Sequence, residues 1–284
     1  MSVRSEKKQT APWQQSPDQM VEWMCPDWPA PARIAACVTS RRGGVSLAPY
    51  DGLNLGNHVG DLSDAVRHNR RLLKQLLPAG CRLQWLNQVH GTRVAELTPQ
   101  VSVPGRKSAD AACVRHAGDA AVVMTADCLP VFFADRAGSA AAVAHAGWRG
   151  LLSGVLENTV SQLGVAPGQL LAWLGPAIGP CHFEVGSEVR DAFLKRQPEQ
   201  HGAGAAATTL LKEAFIPGRQ SPGKWMMDIY QVARIRLASA GIAEVSGGGL
   251  CTVCDRSHLY SYRRDGVTGR LASMIWIKPD CPAT

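Results

Sequence analysis

Residues 120–150 read AAVVMTADCLPVFFADRAGSAAAVAHAGWRG, and the reading of this stretch decides the fold class. It holds three short apolar runs, Ala120–Thr125, Val131–Ala134 and Ala140–Ala144, separated by polar and turn-forming residues. Runs of this length bounded by Gly, Pro and Asp are expected to be buried strands. Ile34–Val38, Leu171–Leu174 and Met274–Ile277 read the same way. Helices are expected between them. Ser63 is expected to cap one bearing Val66, Leu73, Leu76 and Leu77 on one face, ended by Pro78 and Gly80. Leu151–Leu163 carries Leu152, Val155, Leu156, Thr159 and Leu163 before Gly164, and Asp228 caps a third helix with Ile229, Val232, Ala233 and Leu237 before Gly241. A further helix is expected over Glu188–Lys195. Strands and helices intermix without a clean βαβ alternation. The expected class is therefore α+β, mixed β-sheets flanked by helices in a single compact domain.

Outside this body, residues 1–30 are rich in Gln, Pro and Trp and show no period. The expected organisation is an N-terminal extension over residues 1–31, its Trp13, Trp23 and Trp28 able to dock, followed by the main domain over residues 32–284. Gln197–Lys212 (QPEQHGAGAAATTLLK) reads as a loop insertion.

Composition excludes several classes. With 284 residues, 45% hydrophobic and 19% charged, the chain can bury a sizeable core and is not wholesale disordered. No apolar run reaches the roughly 18 residues of a membrane span. The early basic patch of Arg4, Lys7 and Lys8 has no apolar stretch behind it, unlike a secretory signal. Nine scattered cysteines, an odd number, argue for a reducing cytoplasm rather than a disulfide framework. The net charge of +7 comes from dispersed basic residues with few aromatics among them, which fits a solvated surface rather than a nucleic-acid face. An anionic small substrate such as phosphate is compatible with it.

Three polar residues stand at the ends of apolar runs next to Gly or Pro: His90 in Asn87-Gln-Val-His-Gly91, Cys128 in Thr125-Ala-Asp-Cys-Leu-Pro130, and His145 in His145-Ala-Gly-Trp-Arg-Gly150. Strand ends beside tight turns are where such folds place reactive groups. Two imidazoles and a thiolate make a three-ligand zinc set with an open fourth position. The same atoms also make a nucleophile–base pair, Cys128 with His145. A lone histidine is commonly a packed or surface residue, and a lone cysteine a small buried hydrophobe. No local spacing rule links the three. A second pattern, His182-Phe-Glu184 followed by Cys251-Thr-Val-Cys254, imitates the H-x-E and P-C-x-x-C halves of nucleoside deaminases. Leu250 stands where proline belongs and the gap is long, so this pattern is set aside; a lone C-x-x-C is half a structural zinc site or chance. Basic turns at Arg41-Arg42-Gly43-Gly44, at Arg149 and at Ser261-Tyr-Arg-Arg264 offer seats for an anion.

These motifs together resemble the YfiH-like family, also called the laccase-domain or zinc-dependent purine nucleoside phosphorylase family. The likeness runs from about Ala32 to Lys278. It is carried by RRGGVS from Arg41, LNLG from Leu53, HVGD from His58, WLNQVHG from Trp85, TADCLPV from Thr125 and HAGWRG from His145. GPAIGP from Gly175, FEVG from Phe183, Cys251-Thr252 and SYRR from Ser261 complete it. The resemblance implies a cytoplasmic α+β enzyme with zinc held by His90, Cys128 and His145. It implies phosphorolysis of adenosine, inosine, guanosine and 5′-methylthioadenosine, and deamination of adenosine. Cys128, His145 and Arg149 are expected to be catalytic, and Arg41, Asn87, Asp127 and Arg263 to contact the substrate, a purine nucleoside with phosphate. Older family names imply copper and polyphenol oxidation. The donor set would bind copper, because Cu²⁺ outcompetes Zn²⁺ at most N/S sites. However, the eight histidines contain no His-x-His pair of the kind a multicopper cluster needs. A Cys-dependent hydrolase or amidase acting on cell-wall precursors is the other alternative.

Overall fold

The computed structural model describes residues 13–97, 108–201, 205–218 and 222–279. Two six-stranded sheets make its centre. In spatial order the first holds β1 (Gln14–Gln15), β2 (Val21–Met24), β3 (Ile34–Gly43), β15 (Leu271–Ile277), β7 (Asp119–Thr125) and β4 (Arg82–Trp85). The second holds β14 (Glu244–Gly247), β10 (Leu170–Leu174), β8 (Leu129–Asp135), β9 (Ala141–Ala146), β6 (Ala111–Val114) and β5 (Val94–Leu97). Both mix parallel and antiparallel pairs: β15 runs antiparallel to β3 and β7, while β4 runs parallel to β7. A small third sheet joins β11 (Glu184–Gly186), β13 (Lys224–Met227) and β12 (Phe215–Pro217).

The central strands β7, β8, β9, β10 and β15 are buried throughout and nearly continuous apolar runs, because both faces of the two large sheets are covered there. Side chains alternate across a strand, and β8 shows the consequence. Phe132 and Ala134 pack into a core shared with Val38, Val123 and Ile275 of the first sheet. Val131 and Phe133 point the other way, into a core built with helices α2 (Trp148–Ser153), α3 (Val155–Leu163) and α6 (Ile229–Ser239). The outer face of the first sheet, with Val122, Ala272 and Met274, is closed by Leu72 and Leu73 of α1 (Ser63–Lys74) and by Leu53 and Leu55. The layers run helix, sheet, sheet, helix, and the class is α+β. Among the described residues no helix is long and apolar enough to cross a membrane.

Local chemistry accounts for the helix ends, and it departs from expectation at several points. Asp228 caps α6 by accepting from the backbone N–H groups of Tyr230 and Gln231. Ser63 is the first residue of α1 rather than its cap, and α1 ends at Lys74, before Leu76 and Leu77. The single helix expected over Leu151–Leu163 is two, because Gly154 at φ 100° turns left-handed and ends the first. The expected loop over Gln197–Lys212 is largely helical, in α4 (Ser187–His201) and α5 (Ala205–Glu213). Alanine is the strongest helix former, and Leu211 anchors α5 in the core. The expected extension is not separate over its described part. β2 pairs with β3, Val21 and Met24 are buried, and Trp13 stacks on His258.

Candidate metal centre

Three elements meet at one end of the second sheet. His90 lies in the loop after β4, Cys128 immediately before β8, and His145 within β9, where it pairs across from Pro130. Sequence separation disappears at this point. One ligand atom from each residue lies within 4.8 Å of the others. Cys128 Sγ is 3.9 Å from His90 Nε2, and the two imidazoles meet edge to face at 4.8 Å between centroids. His145 is buried, Cys128 half-buried and His90 exposed, so the cluster opens on one side.

The backbone around it is held in costly conformations. His90 (φ 58°) and Asp127 (φ 92°) both lie in the left-handed region that side chains disfavour. The carboxylate of Asp110, fully buried, organises His90. It accepts from the backbone N–H groups of Val89 (3.2 Å), His90 (2.9 Å) and Gly91 (2.7 Å), and its Oδ1 lies 2.9 Å from His145 Nδ1. One side chain thus fixes a loop and sets an imidazole tautomer, leaving His145 Nε2 to face the cluster. Gly147 passes the site so closely that a Cβ there would sit 2.9 Å from Cys128 Sγ and 3.3 Å from His90 Cδ2.

Electrostatics follow from this packing. Burial pushes the Cys128 thiol up, but the charge and hydrogen bonds of His145, with His90, outweigh it and bring it down to about 6. Burial pulls His145 down, while Cys128 and Asp110 raise it to about 9. Without a metal these shifts favour a thiolate facing an imidazolium at neutral pH. With one, the same arrangement supplies a deprotonated sulfur and two imidazole nitrogens.

The other expected site residues take varied places. Both carboxylate oxygens of Asp127 serve the protein: Oδ1 accepts from Thr252 Oγ1 at 2.6 Å and Oδ2 from the Arg263 backbone N–H at 2.6 Å. Arg263 donates through its guanidinium to the carbonyls of His182 and Glu184. Asn87 is exposed and donates to Ser108 Oγ. Arg149 is exposed, its guanidinium 4.3 Å from the Trp148 ring centroid. Arg41 pairs with Asp51 at 3.0 Å and lines a cavity of about 640 Å³ with Arg42 and Arg256, a cavity that none of the three cluster residues lines.

A family model described as multi-copper polyphenol oxidoreductase laccase matches residues 35–278. A relative named purine nucleoside phosphorylase YfiH, from Escherichia coli, is 49% identical over 91% of this chain and all of its own length. The chain belongs to this YfiH-like, laccase-domain family. A Pseudomonas aeruginosa relative named a purine nucleoside phosphorylase is 52% identical, again over 91% of this chain and 100% of the relative. The crystal structure of a Neisseria meningitidis protein superposes with a TM-score of 0.81 at 46% identity, covering 90% of this chain and 99% of that one. The crystal structure of a Bacillus licheniformis YfiH superposes at 0.80 with 28% identity, covering 94% and 99%.

Two residues of this YfiH-like protein that bear on the site escaped the sequence reading. Asp110 sits in an unremarked Ser108-Ala-Asp-Ala111, with no motif to flag it. Arg270 is half-buried and within electrostatic reach of Cys128 and Asp127; desolvation lowers its pKa and those groups partly restore it. The one available signal for Arg270 was its place immediately before β15, at the end of the TGR turn after the noted SYRR run.

Proposed function

We propose that this protein is a zinc-dependent purine nucleoside enzyme. It cleaves the glycosidic bond of adenosine, inosine, guanosine and 5′-methylthioadenosine with phosphate, and it also deaminates adenosine. The observation that carries the reading is the convergence of His90, Cys128 and His145 in one open cluster, in a chain of which 91% is matched by relatives named purine nucleoside phosphorylases, over their full length. The donor set fits zinc, which takes neutral imidazole and thiolate and, in catalytic sites, keeps a fourth position open. Zinc held there would supply a Lewis acid beside the substrate.

The remaining work belongs to the chain's own groups. Asp110 keeps His145 in one tautomer and the 89–91 loop in one conformation. Arg270, whose Nη1 donates to the carbonyls of Thr268 and Gly269, would turn its remaining guanidinium donors to phosphate. The Asp127–Thr252–Arg263 contacts hold the helix start at Tyr262 against the site. In phosphorolysis a phosphate oxygen bonds to the anomeric carbon, and the C–N bond breaks. The purine leaves with that electron pair and takes up a proton. Holding both reactants in line lowers the barrier by making their encounter effectively intramolecular. Deamination and phosphorolysis act at distant atoms of the purine, so one centre would serve them in two poses, or in a larger pocket where phosphate competes with water.

The test is one adenosine reaction across a phosphate series, with adenine and inosine both quantified. Phosphate is expected to shift product from inosine to adenine, and Cys128→Ala to abolish both. Inosine formation that survives Cys128→Ala while adenine disappears would refute a shared centre. The closeness of Cys128 to His145, with the lowered thiol and raised imidazole pKa, also favours a second reading, a Cys128-dependent hydrolase. Activity lost to a chelator and restored by Zn²⁺ excludes that reading. Activity resistant to chelators but killed by alkylation of Cys128 establishes it instead.

A further inference from the structure

A second cluster lies apart from His90, Cys128 and His145. Cys181 and His182, in the turn between β10 and β11, meet Cys251 and Cys254, which follow β14. We propose that these four side chains form a closed, tetrahedral zinc site that ties the two segments together. It completes in space the pattern set aside in the sequence. The H-x-E half supplies only His182, and the missing partner is Cys181, which no motif had joined to the C-x-x-C.

The argument is geometric. Zn–S bonds of about 2.3 Å and Zn–N bonds of about 2.0–2.1 Å give a tetrahedron with S···S edges of about 3.8 Å and S···N edges of about 3.6 Å. Cys181 Sγ lies 3.7 Å from Cys251 Sγ and 3.6 Å from Cys254 Sγ. His182 Nδ1 lies 3.6 Å from Cys251 Sγ, 3.5 Å from Cys254 Sγ and 3.1 Å from Cys181 Sγ. Four of these five edges fall within about 0.2 Å of the zinc tetrahedron. The sulfurs stand well beyond the roughly 2.05 Å of a disulfide. The Gly179 backbone N–H points at Cys251 Sγ at 3.2 Å, the kind of donor that supports a ligating thiolate. Three sulfurs and one imidazole fill four positions, so the site is structural rather than catalytic.

Its place in the fold gives it a task. The Thr252 backbone N–H donates to the Ala177 carbonyl beside it, the Ala177 N–H donates to the Leu250 carbonyl, and Thr252 Oγ1 donates to Asp127, the neighbour of Cys128. Arg263 donates to the carbonyls of His182 and Glu184, and Arg264 to that of Thr252. A metal here would brace the segments on which Asp127 and Arg263 rest.

The experiment is native mass spectrometry of the full chain purified anaerobically with zinc. Two zinc ions per chain are expected in the wild type, one in Cys254→Ser, one in Cys128→Ala and none in the double variant. Two ions retained by a folded Cys254→Ser, or one in the wild type and none in Cys128→Ala, overturns the second site. One in the wild type that vanishes in Cys254→Ser but stays in Cys128→Ala upholds it and removes the first centre instead. Should Cys254→Ser fail to fold, Co²⁺ is titrated into reduced, chelator-stripped wild type. The charge-transfer and d–d bands of a tetrahedral three-thiolate centre are expected. Bands of a single-thiolate centre alone, or peptide mapping that finds Cys181 disulfide-bonded in the zinc-purified protein, overturns the proposal.

Discussion

Gly147→Ala separates the demands of the metal centre from those of folding. Gly147 has φ −65° and ψ 163°, a conformation alanine adopts freely, so the backbone sets no penalty. Reduced freedom of the unfolded chain is worth up to about 0.4–1 kcal/mol in favour of the variant. The added Cβ, however, would stand 2.9 Å from Cys128 Sγ. Apolar atoms rest at about 3.5–4.0 Å, an overlap of about 0.6–1.1 Å. Cys128 has one side-chain torsion with which to yield, and turning it takes the sulfur off His90 and His145. An overpacking cost of about 1–3 kcal/mol, borne by that displacement, weakens zinc by roughly 5- to 150-fold. The assay strips the protein with a chelator, restores activity with Zn²⁺ at buffered free concentrations, and follows urea unfolding of the stripped protein alongside. The half-restoring zinc concentration is expected to rise by that factor while the unfolding midpoint holds or rises. A half-restoring concentration indistinguishable from wild type in a folded variant would show that the turn can give way, and that the glycine is not required by the cluster.

Other perturbations probe neighbouring parts. Asp110→Asn replaces an acceptor-only carboxylate facing three backbone N–H groups and His145 with an amide that accepts through one atom. Zinc affinity in the same titration is expected to fall about 10- to 100-fold, and unchanged affinity would remove Asp110 from the centre. In zinc-stripped protein, His145 and His90 favour the Cys128 thiolate against burial, so the reactive form persists as pH falls until about 6. Iodoacetamide labelling of Cys128, resolved by peptide mass spectrometry, should be half-maximal there, and His145→Asn should move the midpoint up towards the ordinary thiol value. Arg270→Lys keeps the charge but loses the fork, and is expected to raise the KM for phosphate more than that for nucleoside; an unchanged phosphate KM places the anion seat at Arg41, Arg149 or Arg263. Deleting residues 1–24 removes β2 with buried Val21 and Met24. At about 1.5–3 kcal/mol per buried side chain, a loss of roughly 3–6 kcal/mol is expected in urea unfolding, and wild-type stability would show that β2 adds nothing to the sheet.

What the residues alone determined was local. Short apolar runs such as Ala120–Thr125 and Val131–Ala134 read as strands because a strand covered on both faces must be apolar throughout. Asp228 read as a cap because its oxygen lies next to unpaired backbone donors whatever surrounds the helix. His90, Cys128 and His145 stood out because each is polar at the end of an apolar run. The misreadings were also local. An alanine-rich stretch with two glycines is compatible with loop or helix, and the packing of Leu211 decided for α5. Residues around Val21 lack a period, and only the open edge of β3 made them a strand. Long-range encounters left no trace in the sequence. Asp110 meets His145 across 35 positions, and Cys181 meets Cys251 across 70. A carboxylate or a thiol carries no mark of its distant partner. Only the closing of two sheets and their connecting turns brings such groups to bonding distance, and with them the choice between a buried liability and a binding site.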